Sequence, residues 1–499
     1  MSSTPAETPV DPHHARRWLI LGVLGIAQLM VILDATIVNI ALPSAQSDLG
    51  FSDDNRQWVI TAYALAFGSL LLLGGKIGDL IGRKHVFIVG LLGFAVASAI
   101  GGAASSFGVL VVARALQGLF GALLAPAALS LLTTTFTDPS ERNKAFGVFG
   151  AIAGVGGGVG LLLGGVLTEY LSWRWCLYVN LFFAIPAALG AFSLLHSGTQ
   201  HGAGRRPKLD IPGTVAVTGG LFALVYGFSN AETNGWGDVV TVVMLAAAVV
   251  LLVAFVLIQL RVSNPLLPMR VVLDRNRGGA YLAFGIVSMG MFGIFLFLTY
   301  YLQRTLGFSP VQTGLAFLPM NFAIMGTIGL VSTQILPRVG PRPLVAGGMA
   351  AAAVAMAVFA QLGTDSSYVS GVLPGLVIMG VGMGCVFASA MAIATLGVDA
   401  RDAGVASAMV NTTQQVGGSI GTALLSTLFA SAVSGYATDN ADRFQGAQLA
   451  AESAMHGYVT AFWIASAILA VGAVATGLLL RSGVSRLADD PTGAPVLAH

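Results

Sequence analysis

The sequence predicts an all-α integral membrane fold with 14 transmembrane helices, arranged as two six-helix bundles with two further helices inserted between them. Three observations lead there. Of the 499 residues, 56% are hydrophobic and only 9% charged, whereas soluble domains carry about 25% charged residues. The apolar residues gather into runs of about 20, the length that crosses a bilayer core. The basic residues alternate between the connections at the two ends of those runs. Mean hydropathy is +0.83. A soluble multi-domain enzyme and a disordered scaffold are excluded by this composition, a nucleic-acid binder by the net charge of +2, and a disulfide-stapled protein by a cysteine count of 2. Cys176 and Cys385 lie far apart in the chain and read as apolar packing residues.

The elements follow in order. Residues 1–17 form a polar tail ending in Arg16-Arg17, expected to be cytoplasmic. The first run, 18–42, has no small-residue cleavage site, so it reads as a retained first helix rather than a signal peptide. Asp34 lies within it, in LMVILDATIVNIALP. Runs 57–75 and 86–104 flank the basic turn GDLIGRKH. Run 107–131 carries Arg114, and Gln117, Gly118 and Gly121 share its face. Run 143–168 is glycine-dense, GVFGAIAGVGGGVGLLLGG, but it lacks the GxGxxG spacing and follows no strand, so its glycines serve close helix packing. Run 174–196 opens with SWRWCLYVN, and the Gly-rich basic stretch HSGTQHGAGRRPKLD, 196–210, reads as a cytoplasmic linker.

Runs 211–230 and 239–261 come next, then 277–301, 310–331, 342–361 and 371–396. Run 403–431 is polar for a spanning helix, with Asn411, Thr412, Thr413, Gln414 and Gln415; Asn411 and Gln415, four apart, stack on one face. They either line a cavity or bond helix to helix. The last run, 458–480, brings Tyr458, Phe462 and Trp463, which supply either an aromatic surface for an organic cation or an interfacial belt. The longest connection at the far end is expected over 432–457, with Asp439, Asp442, Arg443 and Glu452.

Charge placement tests the count. With 14 spans, 19 of the 24 Lys and Arg residues fall at the end that carries both termini. Only Arg56, Arg174, Arg304 and Arg443 fall at the other, and Arg114 lies inside a helix. A miscounted helix would scramble this asymmetry, which places both termini in the cytoplasm. The expected organisation is a tail at 1–17, a bundle at 18–196, a linker with helices seven and eight at 197–276, a second bundle at 277–480 and a tail at 481–499. An internal repeat supports it: GDLIGRKHVFIVGLL aligns with LPRVGPRPLVAGGMA, so that Gly82 meets Gly340, Lys84 meets Arg342 and Gly90 meets Gly348, eight helices apart. The fifth helix likewise carries Gly156, Gly160 and Gly164, and the thirteenth, again eight later, carries Gly417, Gly418 and Gly421.

A charge at the centre of a spanning helix costs about 2.5–3.5 kcal/mol on insertion scales, so each one requires a reason. Asp34 and Arg114 are the two that lie deep in the runs. Desolvation opposes the charged carboxylate, which makes Asp34 the candidate for proton exchange; the alternative is a structural Asp34–Arg114 pair. The chain contains no HExxH, Walker loop, GxSxG elbow or clustered His and Cys. Neither an intramembrane enzyme nor an ATP-driven pump is expected.

These motifs resemble those of the major facilitator superfamily and, within it, the fourteen-helix drug:proton antiporter branch, from Arg17 to Arg481. LDATIVNIALP resembles the branch's helix 1 signature and implies for Asp34 a proton-coupling role in which the carboxylate, facing the cytoplasm, also accepts the cargo. GKIGDLIGRK resembles the superfamily's loop 2–3 motif, implying a gating role for Gly75, Asp79, Gly82, Arg83 and Lys84. RALQG is similar to the helix 4 motif and assigns the coupling arginine to Arg114. Gly147, Gly156, Gly160, Gly164 and Gly165 fit the helix 5 antiporter motif, although Leu161 and Phe182 stand where the branch has prolines. LGFSPVQTGLAFLP and GVASAMVNTTQQVGGSIG are close to the branch's helix 9–10 and helix 13 segments.

The resemblance implies a proton-coupled antiporter in the cytoplasmic membrane, exporting lipophilic, neutral or monocationic drugs, antibiotics or dyes by alternating access. No cofactor, no metal and no nucleic acid are expected; the partners are small lipophilic substrates, protons and lipid, and the protein is expected to be a monomer. Candidate cavity-lining side chains are Asn39, Gln117, Asn411, Gln415 and Trp463. Two rivals stay open: a dedicated exporter of one endogenous metabolite or antibiotic, and an uptake symporter, against which the scarcity of cavity charges weighs.

Overall fold

Helix starts in this chain are written locally. Asp138 accepts from the Glu141 N–H, Asp238 from those of Val240 and Thr241, Asp274 from those of Asn276 and Arg277, and Ser309 forms a capping box with Gln312. Each satisfies amide donors that a helix N-terminus leaves without partners. The computed structural model describes residues 16–52, 55–136, 138–195, 210–262, 265–395 and 403–481. Among them are 14 long helices: α1 (Arg17–Leu49), α2 (Trp58–Ile81), α3 (Arg83–Gly102), α4 (Phe107–Thr135), α5 (Pro139–Tyr170), α6 (Trp175–Leu194), α7 (Ile211–Asn234), α8 (Val239–Gln259), α9 (Arg275–Thr305), α10 (Pro310–Val339), α11 (Pro341–Phe359), α12 (Tyr368–Ala394), α13 (Ala403–Asp439) and α14 (Gly446–Leu479). All of them except α5 are long and apolar enough throughout the described residues to cross a membrane. The linker and the two tails fall outside the described residues apart from Arg16, Arg17, Asp210 and Arg481.

The expected far-end connection over 432–457 is not a loop. α13 continues to Asp439 and α14 begins at Gly446. The 37 residues of α13 span about 55 Å at about 1.5 Å each, well beyond a hydrocarbon core of about 30 Å. Hydropathy marks only the part of a helix inside lipid, so it does not reveal that Asp439 and Glu452 are both helical.

Helices α1 to α6 pack chiefly on one another, as do α9 to α14. The two groups repeat the same devices. Gly82 and Gly340 are the single-residue breaks between α2 and α3 and between α10 and α11, and both take positive φ, 104° and 79°, which disfavours a side chain. A methyl on Gly90 would press on the Leu124 backbone of α4, and one on Gly348 on the Gly382 carbonyl of α12. Gly164 likewise meets the Ile37 carbonyl of α1, as Gly417 meets the Gly285 carbonyl of α9.

The ends of the two bundles differ. Away from the termini a single core runs through both, joining Ile37, Ile40, Ala41, Leu161 and Trp173 to Phe284, Phe295, Phe297, Tyr300, Phe317 and Phe429. Toward the basic end the clusters are largely separate: Ile20, Leu24, Met30, Phe87 and Phe94 belong to the first bundle and Val331, Leu336 and Ala388 to the second, with Ala408 of α13 packing against the first. Phe322 and Leu330, in the basic half of α10, are exposed. The hairpin of α7 and α8 covers one seam, where Ala216, Val217 and Leu221 pack with Leu72 of α2 and against Met409 and Val416 of α13.

Candidate functional site

Asp34 sits at the centre of α1 and is fully buried, and Arg114 on α4 is 2% exposed. Arg114 Nη1 donates to Asp34 Oδ2 at 2.6 Å and to Gln117 Oε1 at 2.8 Å, and its Nε donates to the Val59 carbonyl of α2 at 3.1 Å. Asp34 Oδ1 accepts from Gln117 Nε2 and from Asn180 Nδ2, both at 2.8 Å. Those amides also donate to Ser98 Oγ, at 2.8 and 3.2 Å. Tyr63 lies beneath the guanidinium, its ring centre 4.5 Å from Arg114 Cζ. The two charges are thus paired with each other, and each makes further hydrogen bonds, the condition for keeping them in an apolar interior.

Small residues make this closeness possible. A side chain on Gly118 would strike the Tyr63 carbonyl, which lets α2 and α4 meet backbone to backbone. Gly156, Gly160 and Gly164 lie along one face of α5. They abut Leu29, Ile32, Thr36 and Ile37 of α1, the turns that bracket Asp34. On the opposite side of α5, Gly165 abuts the backbone of Pro310 and Val311, and the Leu161 carbonyl faces Gly314 of α10. α5 is therefore the slat between the buried acid and the second bundle. Leu161, fully buried at this contact, leaves α5 an unbroken helix. Phe182 is exposed on the perimeter beside Trp175.

At the far end the bundles are bonded directly. Tyr300 donates from its hydroxyl to Gln46 Oε1 at 2.7 Å, Arg304 donates to the same oxygen at 3.1 Å, and Gln303 donates to the Ile40 carbonyl at 3.2 Å. Val311 N donates to Glu169 Oε2 at 3.0 Å, so the end of α5 caps the start of α10. The α9 stretch that makes these bonds contains two π-helical turns, Ile294–Leu298 and Tyr301–Thr305, a feature frequent at functional sites.

Several expected positions are placed differently. Asp34, expected to meet the cargo, is fully buried, and its hydrogen-bond partners all belong to the first bundle. Gln117 is a donor to Asp34 and lines no cavity. Asn39 donates to the Ala35 and Thr36 carbonyls of its own helix. Trp463 is 49% exposed and shares a face with exposed Val471, Val474 and Leu478, so it belongs to the apolar perimeter, while Tyr458 and Phe462 are core residues. Gln415 reaches the seam with α2, where Gly68 leaves room for it; Asn411, one turn away, is exposed.

In the turn motif, Lys84 donates to the Phe192 and Leu195 carbonyls, capping the C-terminus of α6 within its own bundle. The close approach to α4 is made by Gly74 at Ala122, whereas Gly75 touches Pro126 only at ordinary distance. Arg83 is partly buried, and the Asp79 side chain and the surroundings of Gly147 lie outside the described residues. Ser98 and Asn180 were missed. The signal for Asn180 was an amide inside an apolar run, at the end of SWRWCLYVN.

Two helical bundles that share a continuous core at the end away from the termini, the first enclosing a buried ion pair, define a polytopic membrane transporter. A family model described as Major Facilitator Superfamily matches residues 24–422. The chain is 49% identical to the puromycin resistance protein pur8 of Streptomyces alboniger, across 99% of this chain and 97% of that one. It is 39% identical to the cephamycin export protein CmcT of Amycolatopsis lactamdurans, across 84% and 86%. A solved POT family peptide transporter shares the fold with a TM-score of 0.69 at 16% identity, covering 96% of this chain and 99% of that one. The chain belongs to the major facilitator superfamily, and it is a transporter and not an enzyme.

Proposed function

We propose that the protein exports lipophilic, neutral or monocationic drugs from the cytoplasm by exchange for protons, with its basic end and both termini in the cytoplasm. The observation that carries this reading is the sealed network around Asp34. A buried acid held by a guanidinium and two amides has one cheap way to change state, which is to take up a proton and release Arg114. Arg114 also holds the Val59 carbonyl, and α1 carries Asp34 against α5 and thence α10. Protonation therefore acts on the elements that join the bundles. Cargo enters between the parted ends, and Asp34 need not touch it.

The relatives named for antibiotic resistance and export support outward transport of such compounds. Uptake symport gains no comparable support. One proton exchanged for a neutral molecule moves one charge, worth about 2.3 kcal/mol per 100 mV, or about a fifty-fold gradient. One proton exchanged for a monocation moves no net charge, so only the pH difference drives it. Puromycin is the first compound to test, in inverted vesicles energised by respiration. Nigericin, which removes the pH difference, should collapse uptake of puromycin carried as the monocation and leave the potential-driven part of its uptake as a neutral molecule; uptake that survives loss of the whole proton gradient would overturn the coupling. Protection of cells against one compound alone, across a panel of dyes, quaternary ammonium compounds and antibiotics, would favour the dedicated exporter.

A further inference from the structure

Arg56 lies in the turn before α2, at the end away from the termini, and is only 3% exposed. Its Cζ stands 4.3 Å from the ring centre of Tyr300, 5.0 Å from that of Phe429 and 5.9 Å from that of Phe297. The guanidinium comes from the first bundle and all three rings from the second. The rings brace one another: Phe297 and Phe429 stack at 5.3 Å, and Tyr458 stands 5.1 Å from Phe429. Tyr300 is fixed by its bond to Gln46. Three rings within about 6 Å of a desolvated cation form the aromatic cage by which proteins recognise quaternary and delocalised cations. The same turn is linked to the proton site, because Arg114 donates to the carbonyl of Val59, three residues on.

We propose that the Phe297–Tyr300–Phe429 cage is a site for an organic monocation, which Arg56 occupies whenever this end is closed. When the bundles separate here, Arg56 leaves with the first bundle and the cage faces the space between them. A cargo cation with delocalised or quaternary charge then has a last station before release, and the return of Arg56 displaces it. The guanidinium is thus a tethered competitor that both latches the end and clears the site. This part rests on alternating access as proposed above; occupancy of the cage by a cation does not.

The test uses the purified full-length protein and methylguanidinium as probe, with sodium chloride at equal ionic strength as control. Arg56→Ala should unfold at a lower temperature than the wild type. Methylguanidinium should restore that temperature saturably in Arg56→Ala, and do so neither in the wild type, whose cage is filled, nor in Arg56→Ala/Tyr300→Ala, whose cage is broken. Arg56→Lys, which keeps the charge without the flat stacking face, guards against a variant that cannot be purified; its unfolding temperature should lie below the wild type and rise in part with the probe. An unchanged unfolding temperature in the Arg56 variants, or equal response with and without Tyr300, would overturn the cage. If the cage survives but tetraphenylphosphonium transport is the same in wild type and Arg56→Lys, the displacement step is wrong while the proton-coupled reading stands.

Discussion

Asp34→Asn is the most informative single change, since it keeps the shape of the side chain and removes its charge. The carboxylate accepts three hydrogen bonds, from Arg114, Gln117 and Asn180. An asparagine has one acceptor oxygen and an amide that only donates, so at least one of those donors faces another donor whichever way the amide turns, and two do when the NH2 takes the Oδ1 position. An orphaned buried donor costs about 1–3 kcal/mol. The larger effect is on Arg114, 2% exposed and now without its counter-charge, and breaking a buried pair from one side costs about 3–5 kcal/mol. The two effects overlap, so we expect a total near 3–5 kcal/mol in unfolding free energy. Downhill cargo exchange should persist while proton-driven accumulation is lost. Adding Arg114→Gln should recover part of the stability, because a neutral pair leaves no buried charge unpaired. Unfolding measured on the single and double variants, with transport in inverted vesicles, checks this. A wild-type unfolding temperature together with wild-type proton-driven transport in Asp34→Asn would refute the reasoning.

Asn180→Ala removes one of the two donors to Asp34 Oδ1 and should cost about 1.5–3 kcal/mol as a hydrogen bond to a charged group, with slower proton-driven turnover in vesicles. Gly160→Ala places a methyl against Thr36 Oγ1 and within 3.4 Å of the Leu33 Cα, so overpacking of about 1–3 kcal/mol should push α5 off α1 and depress transport. Gly157→Ala, whose methyl would meet nothing closer than Asn321 Oδ1 at 3.5 Å, is the matched control and should transport normally. Trp463→Ala should change stability by under about 0.5 kcal/mol and leave dye efflux intact; a tenfold loss would return Trp463 to the cavity.

The membrane class, the positions of the helices and the two charges deep within them, Asp34 and Arg114, were all legible in the sequence. Each depends on a contiguous segment: the apolar length needed to cross lipid, and the cost of a charge within it, can be summed along the chain with no knowledge of its neighbours. The repeat was legible too, in Gly82 and Gly340, because a positive φ at a turn constrains the residue locally. The facing of each helix was not legible. Lipid is as apolar as the helix interfaces, so a spanning helix shows little amphipathic contrast between its buried and its exposed sides. Only the tertiary structure decided that Trp463 points outward, that Gly74 rather than Gly75 meets α4, and that Ser98 and Asn180 complete the enclosure of Asp34. It alone brought Arg56, remote in sequence from Tyr300 and Phe429, into the rings of the opposite bundle, because that contact exists only where two bundles close on each other.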